Sequence, residues 1–233
     1  MDGANVPMIK FHLNGADVSV VAAAGERLSA SLREKCGAKD VKIGCNAGDC
    51  GACSVLVDGN VVCACLMSTA QTEGRSVETV SQLRNSDEGD ALAAAFQNHG
   101  AAQCGICTPG MIVSAVAWLR SGEGTVENAL AGVLCRCTGY RKILDAVNEA
   151  AEGSGPILNG KGEIGSSIRR LDGAAKVAGT EQFGDDIAGT NAAVVHVVRS
   201  PYSRASFRFG DVEKFSKQMH GVITVLTAKD IKG

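Results

Sequence analysis

Apolar and polar positions alternate at the start of the chain. In Met8-Ile9-Lys10-Phe11-His12-Leu13 the apolar Ile9, Phe11 and Leu13 share one face, Asn14-Gly15 supplies a turn, and Val18-Ser19-Val20-Val21 returns. That period of two predicts a β-hairpin. After Gly25 the period lengthens, and Arg27 to Lys35 puts Leu28 and Leu32 on one helical face. Ser54-Val55-Leu56-Val57 and Val61-Val62-Cys63-Ala64-Cys65 predict a second hairpin across the three-residue turn Asp58-Gly59-Asn60, with a short strand to follow near Ser76 to Val80. From Ser86 the spacing is helical: Leu92, Ala95 and Phe96 share a face up to Gly100, and Ile112, Ala115, Val116 and Leu119 share another up to Gly122. Thr125 is the expected cap of a third helix, and Ile143, Leu144, Val147 and Ala151 mark a fourth. Residues 153 to 163 read as a linker; beyond it, Ala193 to Val198 and Val222 to Leu226 predict strands of a β-rich α/β portion.

Composition narrows the chemistry. The 233 residues are 45% hydrophobic and 21% charged, which is ordinary globular material. A net charge of -2 offers no basic field for nucleic acid, and no stretch reaches the roughly eighteen apolar residues of a membrane span. The N-terminus Met1-Asp2-Gly3-Ala4-Asn5 lacks the basic and apolar regions of a secretory leader. The ten cysteines are therefore expected in a reducing, cytoplasmic setting, where clustered thiols serve as metal ligands or redox centres.

The densest cluster is Gly44-Cys45-Asn46-Ala47-Gly48-Asp49-Cys50-Gly51-Ala52-Cys53. Its spacing follows the plant-type [2Fe-2S] pattern, in which a distant fourth cysteine completes the set. The interleaved glycines suit a loop that turns thiolates and N-H groups inward. Pairing Val57 with Val61 in the second hairpin sets Cys65 opposite Cys53, so Cys45, Cys50, Cys53 and Cys65 are the expected ligands and Cys63 a bystander. A zinc site or a disulfide pair is the alternative that the glycine-rich spacing disfavours. Residues 7 to about 82 then have the element order of a β-grasp ferredoxin, with His12 on the surface and Cys36 as filler.

Thiols recur in the helical region. Gln103-Cys104-Gly105-Ile106-Cys107-Thr108-Pro109 leads into the second helix with Thr108 as expected N-cap, and Cys135-Arg136-Cys137-Thr138-Gly139 leads into the fourth with Thr138 as cap. Each pair thus meets a helix N-terminus, whose unpaired N-H groups favour thiolate. On spacing alone, Cys104-x-x-Cys107 also fits a redox dithiol and the four together also fit zinc, although a dithiol would not need Cys135 and Cys137.

The plant-type loop followed by Gln-Cys-Gly-Ile-Cys-Thr-Pro-Gly-Met and Cys-Arg-Cys-Thr-Gly-Tyr resembles the iron-sulfur portion of the molybdenum hydroxylases, the xanthine dehydrogenase and aldehyde oxidoreductase family, over residues 7 to about 152. The resemblance implies a second [2Fe-2S] cluster on Cys104, Cys107, Cys135 and Cys137, next to a molybdopterin cofactor approached by Gln103 and Cys137. It also implies that the cluster on Cys45, Cys50, Cys53 and Cys65 passes electrons outward to a flavin, with FAD on another subunit, or to a different acceptor. Arg170-x-Asp172, Lys176-Val177-x-Gly179, Phe183, Asp186-Ile187 and Val198 to Ala205 resemble the opening of the family's molybdenum-binding subunit. The molybdenum site itself is expected on a partner, the catalytic subunit.

The expected architecture is α+β: a ferredoxin-like domain over 1–83, a four-helix [2Fe-2S] bundle over 84–152, a linker over 153–163, and a partial α/β segment over 164–233. The expected function is electron transfer within a molybdopterin-dependent hydroxylase, with no catalytic residue in this chain. A free two-cluster ferredoxin-type carrier and a zinc-stabilised interaction module are the competing readings. Gly160-x-Gly162-x-x-Gly165 imitates a dinucleotide fingerprint, but no strand precedes it and Arg169-Arg170 follow it, so it is discounted. His99, His196 and His220 are expected to be isolated.

Overall fold

The computed structural model describes residues 6–153, 162–166, 168–189 and 191–231. Most of the linker, including Gly160 of the glycine pattern, lies outside the described residues. The chain divides into one unit up to Phe183 and another from Gly184.

In the first unit, strands β1 (Met8–Leu13) and β2 (Ala16–Val21) pair antiparallel, joined by Asn14 and Gly15 at φ of 52° and 80°. Ile9, Phe11 and Leu13 are buried and the residues between them exposed, as the alternation requires. Leu28 and Leu32, both fully buried, anchor helix α1 (Leu28–Ala30) and the wider turn after it (Ser31–Lys35) against the sheet. Strands β3 (Ser54–Val57), β4 (Asn60–Cys63) and β5 (Ser76–Glu78) complete a five-stranded sheet of order β2-β1-β5-β3-β4, parallel only between β1 and β5.

The second hairpin differs from its expectation by one residue. Val57 pairs with Asn60 and Ser54 with Cys63, so the turn is the two-residue Asp58-Gly59, not Asp58-Gly59-Asn60. Asp58 and Gly59 take φ of 48° and 80°, the paired left-handed conformation that a tight hairpin needs, and Asp58 is held there by Arg75 at 2.6 Å and by the Ser76 N-H at 2.9 Å. Ala64 N-H now donates to the Cys53 carbonyl at 3.3 Å, and Cys65 lies beyond the end of β4.

All four residues of β3 are buried, which a sheet with one solvated face would not allow. Val55 and Val57 face the core with Leu28 and Leu32, whereas Leu56 joins a second core with Phe96, Met111, Ile112 and Ile143. Helices close the far side of the strand: α2 (Val80–Leu83), α3 (Asp87–His99), α4 (Thr108–Ser121), α5 (Val126–Leu130) and α6 (Arg141–Glu152). Ser86 caps α3 and Thr125 caps α5, each accepting from an N-H three residues on; α3 and α4 stop at left-handed Gly100 and Gly122. On α6 the buried residues are Ile143, Ala146 and Val147, while Ala151 is exposed. His99 is not isolated: its ring meets the Glu149 carboxylate between α3 and α6.

A short helix, α7 (Gly173–Val177), also belongs to this unit and packs on α3 and α4. The second unit contains α8 (Gly184–Ile187) and α9 (Val212–Gln218), the latter capped by Asp211. The strands expected at Ala193 to Val198 and Val222 to Leu226 are not formed: Val194, Val195, Val198 and Ile223 are more than three-quarters exposed. A strand exists through a neighbour that takes its N-H and C=O groups, and none of the described residues of this unit does so.

Candidate metal centres

All ten cysteines are free thiols, and all but Cys36 gather at two places in the first unit. At the first, the loop between Gly44 and Cys53 curls so that Cys45 Sγ accepts from the N-H groups of Ala47 at 3.3 Å and Cys50 at 3.4 Å. These two donors hold the exposed Cys45 thiol down at about 7. Arg27 pins the loop from outside by donating to the Asn46 carbonyl. Opposite, Cys53 and Cys65 are neighbours, each 2% exposed; burial above all pushes Cys53 up to about 12, the nearby Cys65 thiol adding to it against the Cys65 N-H, which works the other way.

Cys65 thus stands beside Cys53 although the register that led to it has slipped. The chain turns after β4, with Leu66 N-H donating to the Cys63 carbonyl, and the Leu66 side chain lies over Gly48, where a Cβ would come within 2.5 Å of it. Cys63 lines the same place. Burial, then repulsion from Cys65 and Cys50, raises its thiol.

At the second place, Cys107 meets Cys135 and Cys104 meets Cys137. Cys107 and Cys135 are buried; Cys104, Cys137 and the neighbouring Gln103 are exposed. Burial, then the nearness of Cys135, pushes the Cys107 thiol far up. Cys135 is also penalised by burial, yet the hydroxyl of Thr138, 3.1 Å from its Sγ, and nearby N-H donors bring it below the ordinary thiol value.

The expected caps are displaced. Helix α4 has Cys107 itself at the N-cap, with Thr108 already inside, and α6 is preceded by Tyr140 at φ 66°, not by Thr138. Sequence reasoning left Tyr140 without a role, although it closes the quoted Cys-Arg-Cys-Thr-Gly-Tyr. Its hydroxyl accepts from the Cys135 N-H at 2.9 Å and donates to the Val133 carbonyl at 3.1 Å, while its own N-H donates to Thr138 Oγ1 at 3.1 Å. The one residue thus holds both ends of the Cys135 to Thr138 turn, with its side chain at Val133 and Cys135 and its backbone N-H at Thr138.

The two places touch. Leu134, next to Cys135 in the chain, donates its N-H to the carbonyl of Cys50 at 2.9 Å. Around this bond backbone meets backbone: a Cβ at Gly51 (φ 64°) would lie 2.1 Å from the Gly132 carbonyl oxygen, and one at Gly110 would lie 2.5 Å from the Gly51 carbonyl oxygen. Only glycine fits either position.

The helical place offers four thiols and the loop place the four candidate ligands with Cys63 beside them, enough at each for the four thiolates a [2Fe-2S] cluster takes. Among the described residues, no three cysteine, histidine or carboxylate side chains converge on a point that would hold a single metal ion. At the loop site the space is preserved by Gly44, whose missing Cβ would come 2.8 Å from Cys50 Sγ. The residues present fit the group.

Comparison with known proteins agrees. A 2Fe-2S iron-sulfur cluster binding domain matches residues 11–93, and a [2Fe-2S] binding domain matches residues 79–148. The chain is 37% identical to the xanthine dehydrogenase iron-sulfur-binding subunit of Escherichia coli O157:H7, over 63% of this chain and 96% of that one. The chain belongs to the xanthine dehydrogenase and aldehyde oxidoreductase family of iron-sulfur subunits. It is also 34% identical to the aldehyde oxidoreductase of Megalodesulfovibrio gigas, over 95% of this chain but 26% of that protein. The crystal structure of the aldehyde oxidoreductase from Desulfovibrio desulfuricans superposes with a TM-score of 0.69 at 36% identity, over 77% of this chain and 22% of the other. The family's chains thus include short iron-sulfur subunits that this sequence nearly spans and longer ones of which it spans about a quarter.

Proposed function

We propose that this chain is the electron-transfer part of a molybdopterin-dependent hydroxylase, conveying electrons from a molybdenum centre on a partner to a flavin or another acceptor. Bound [2Fe-2S] clusters would supply the one-electron carriage. Cys45, Cys50, Cys53 and Cys65 would hold one cluster, and Cys104, Cys107, Cys135 and Cys137 the other. The observation that carries this reading is the Leu134 N-H bond to the Cys50 carbonyl, which joins the backbone of one thiol set directly to that of the other. The N-H donors at Cys45 and the Thr138 hydroxyl at Cys135 favour thiolate at both sites.

Gln103 and Cys137 are the residues we assign to the molybdopterin edge; their exposure on the outer side of the helical site supports this. We keep the division into a ferredoxin-like part to residue 83, a four-helix cluster-binding part to 152, a linker to 163 and the opening of a molybdenum-subunit-like domain beyond. The exposed Val194, Val195, Val198 and Ile223 support a partner that covers them. A cytoplasmic location follows the reducing chemistry such thiols require; among the described residues no helix is long and apolar enough to cross a membrane.

The test is reconstitution. The iron-loaded chain should accept electrons from a chemical reductant, show two distinct reduced-state EPR signals, and oxidise no aldehyde or N-heterocycle until a molybdenum-bearing subunit is added. Zinc in place of iron would end the reading, and turnover by the chain alone would reassign it.

A further inference from the structure

Between the last long helix of the first unit and the start of the second, Arg170 to Phe183 folds back over both thiol-bearing halves. On the helical side, Val177 is 2% and Lys176 9% exposed. The Lys176 stem lies on the Cys104 to Cys107 loop: Gly105 has φ 90°, and a Cβ there would come 2.8 Å from Lys176 Cγ and 3.1 Å from its Cβ. Lys176 Nζ binds Asp172, which Arg170 grips with two nitrogens at 2.9 Å each. Arg170 first and Lys176 second hold the Asp172 carboxyl well below the usual range. On the sheet side, Gly179 backs onto Asp40 and Val80, where a Cβ would come within 2.8 Å and 3.0 Å of their side chains. The Glu181 carbonyl then accepts from the buried Lys42 at 3.0 Å, and Lys42 also lies 5.1 Å from the centre of the Phe183 ring.

A lysine is rarely buried unless its ammonium is paired and its methylenes cover something apolar or tightly packed. Here the pairing is Asp172 and the covered surface is a cysteine loop whose central residue has no side chain. We propose that Arg170 to Phe183 is a strap belonging to the iron-sulfur unit, and that Lys176 is a positioning residue that fixes the Gly105 backbone and through it Cys104 and Cys107. The proposal rests on the reading of Cys104, Cys107, Cys135 and Cys137 as cluster ligands.

Lys176→Ala and Lys176→Met in the full, iron-loaded chain separate stem from charge. With Lys176→Ala, iron at the helical site should pass to a chelator roughly tenfold faster, as when an outer-shell support is lost. The EPR signal of that cluster should shift in g-value while the ferredoxin-type signal stays, and amide exchange across Cys104 to Cys107 should rise. Lys176→Met keeps the stem and should restore all three. Unchanged chelation, signal and exchange in Lys176→Ala would overturn the proposal. Equal disturbance of both signals, or failure of Lys176→Met to restore them, would do the same. Should the wild-type chain take up no iron, the ligand reading fails separately, and amide exchange at the loop decides the strap.

Discussion

The two thiol sites are built from the same donors by different means. The loop site is shaped by backbone: Gly44, Gly48 and Gly51 leave room, and N-H groups of Ala47 and Cys50 aim at sulfur. The helical site is shaped by side chains: Tyr140 braces one cysteine loop, Thr138 meets Cys135, and Lys176 lies on the other loop. Both nevertheless pair a buried couple of thiols with a more exposed one. The loop lies within one continuous stretch of chain and shapes itself largely through its own backbone, whereas a site assembled from two helix starts draws on side chains brought in by packing.

The largest effect that would test this contrast is removal of a ligand. Cys50→Ala should delete the ferredoxin-type EPR signal and Cys104→Ala the helical one, each leaving its counterpart; loss of both signals in either variant would mean the sites are not independent in holding iron. The next contrast is chemical. In the iron-free chain Cys45, held down at about 7 by its N-H donors, should become alkylated as pH rises through neutrality, because the thiolate is the nucleophile. Cys53, pushed up to about 12 by burial, should stay unmodified across the same range, and mass spectrometry of the alkylated peptides reads both.

Smaller effects come from the join and the brace. Leu56→Ala empties a fully buried position between sheet and helices and should cost about 3 kcal/mol in chemical denaturation, felt at both sites. Tyr140→Phe leaves the Cys135 N-H and the Val133 carbonyl without their partner; a cost of about 1 to 3 kcal/mol and a shift in the helical signal alone are expected. Cys63→Ala should change least, keeping both signals. If it loses the ferredoxin-type cluster while Cys65→Ala retains it, the fourth ligand has been misassigned.

Much of this was legible in the sequence because short-range rules governed it. Ile9, Phe11 and Leu13 alternate, Ser86 and Thr125 are followed by helices, and Gly100 and Gly122 end them. The turn at Asp58-Gly59 slipped by one residue because Val61 and Val57 make an equally apolar pair, and only the left-handed pair of turn residues, with Arg75 on Asp58, selects the shorter loop. Cys65 still comes to stand beside Cys53 because the chain bends after Cys63. Tyr140 and Lys176 act across contacts that no local spacing encodes. His99 looked isolated because Glu149 is fifty positions away.

Gly110 at the start of α4 rests on the carbonyl of Gly51, and Leu134 hangs from that of Cys50. The first turn of α4 therefore has its floor laid by the cysteine loop of the sheet, and the approach to α6 is tied to the same short stretch. Neither half offers the other a surface on which to slide. Unfolding of the part up to Phe183 should then be all-or-none, with sheet and helices lost in one transition, instead of the stepwise melting expected of two domains strung on a chain.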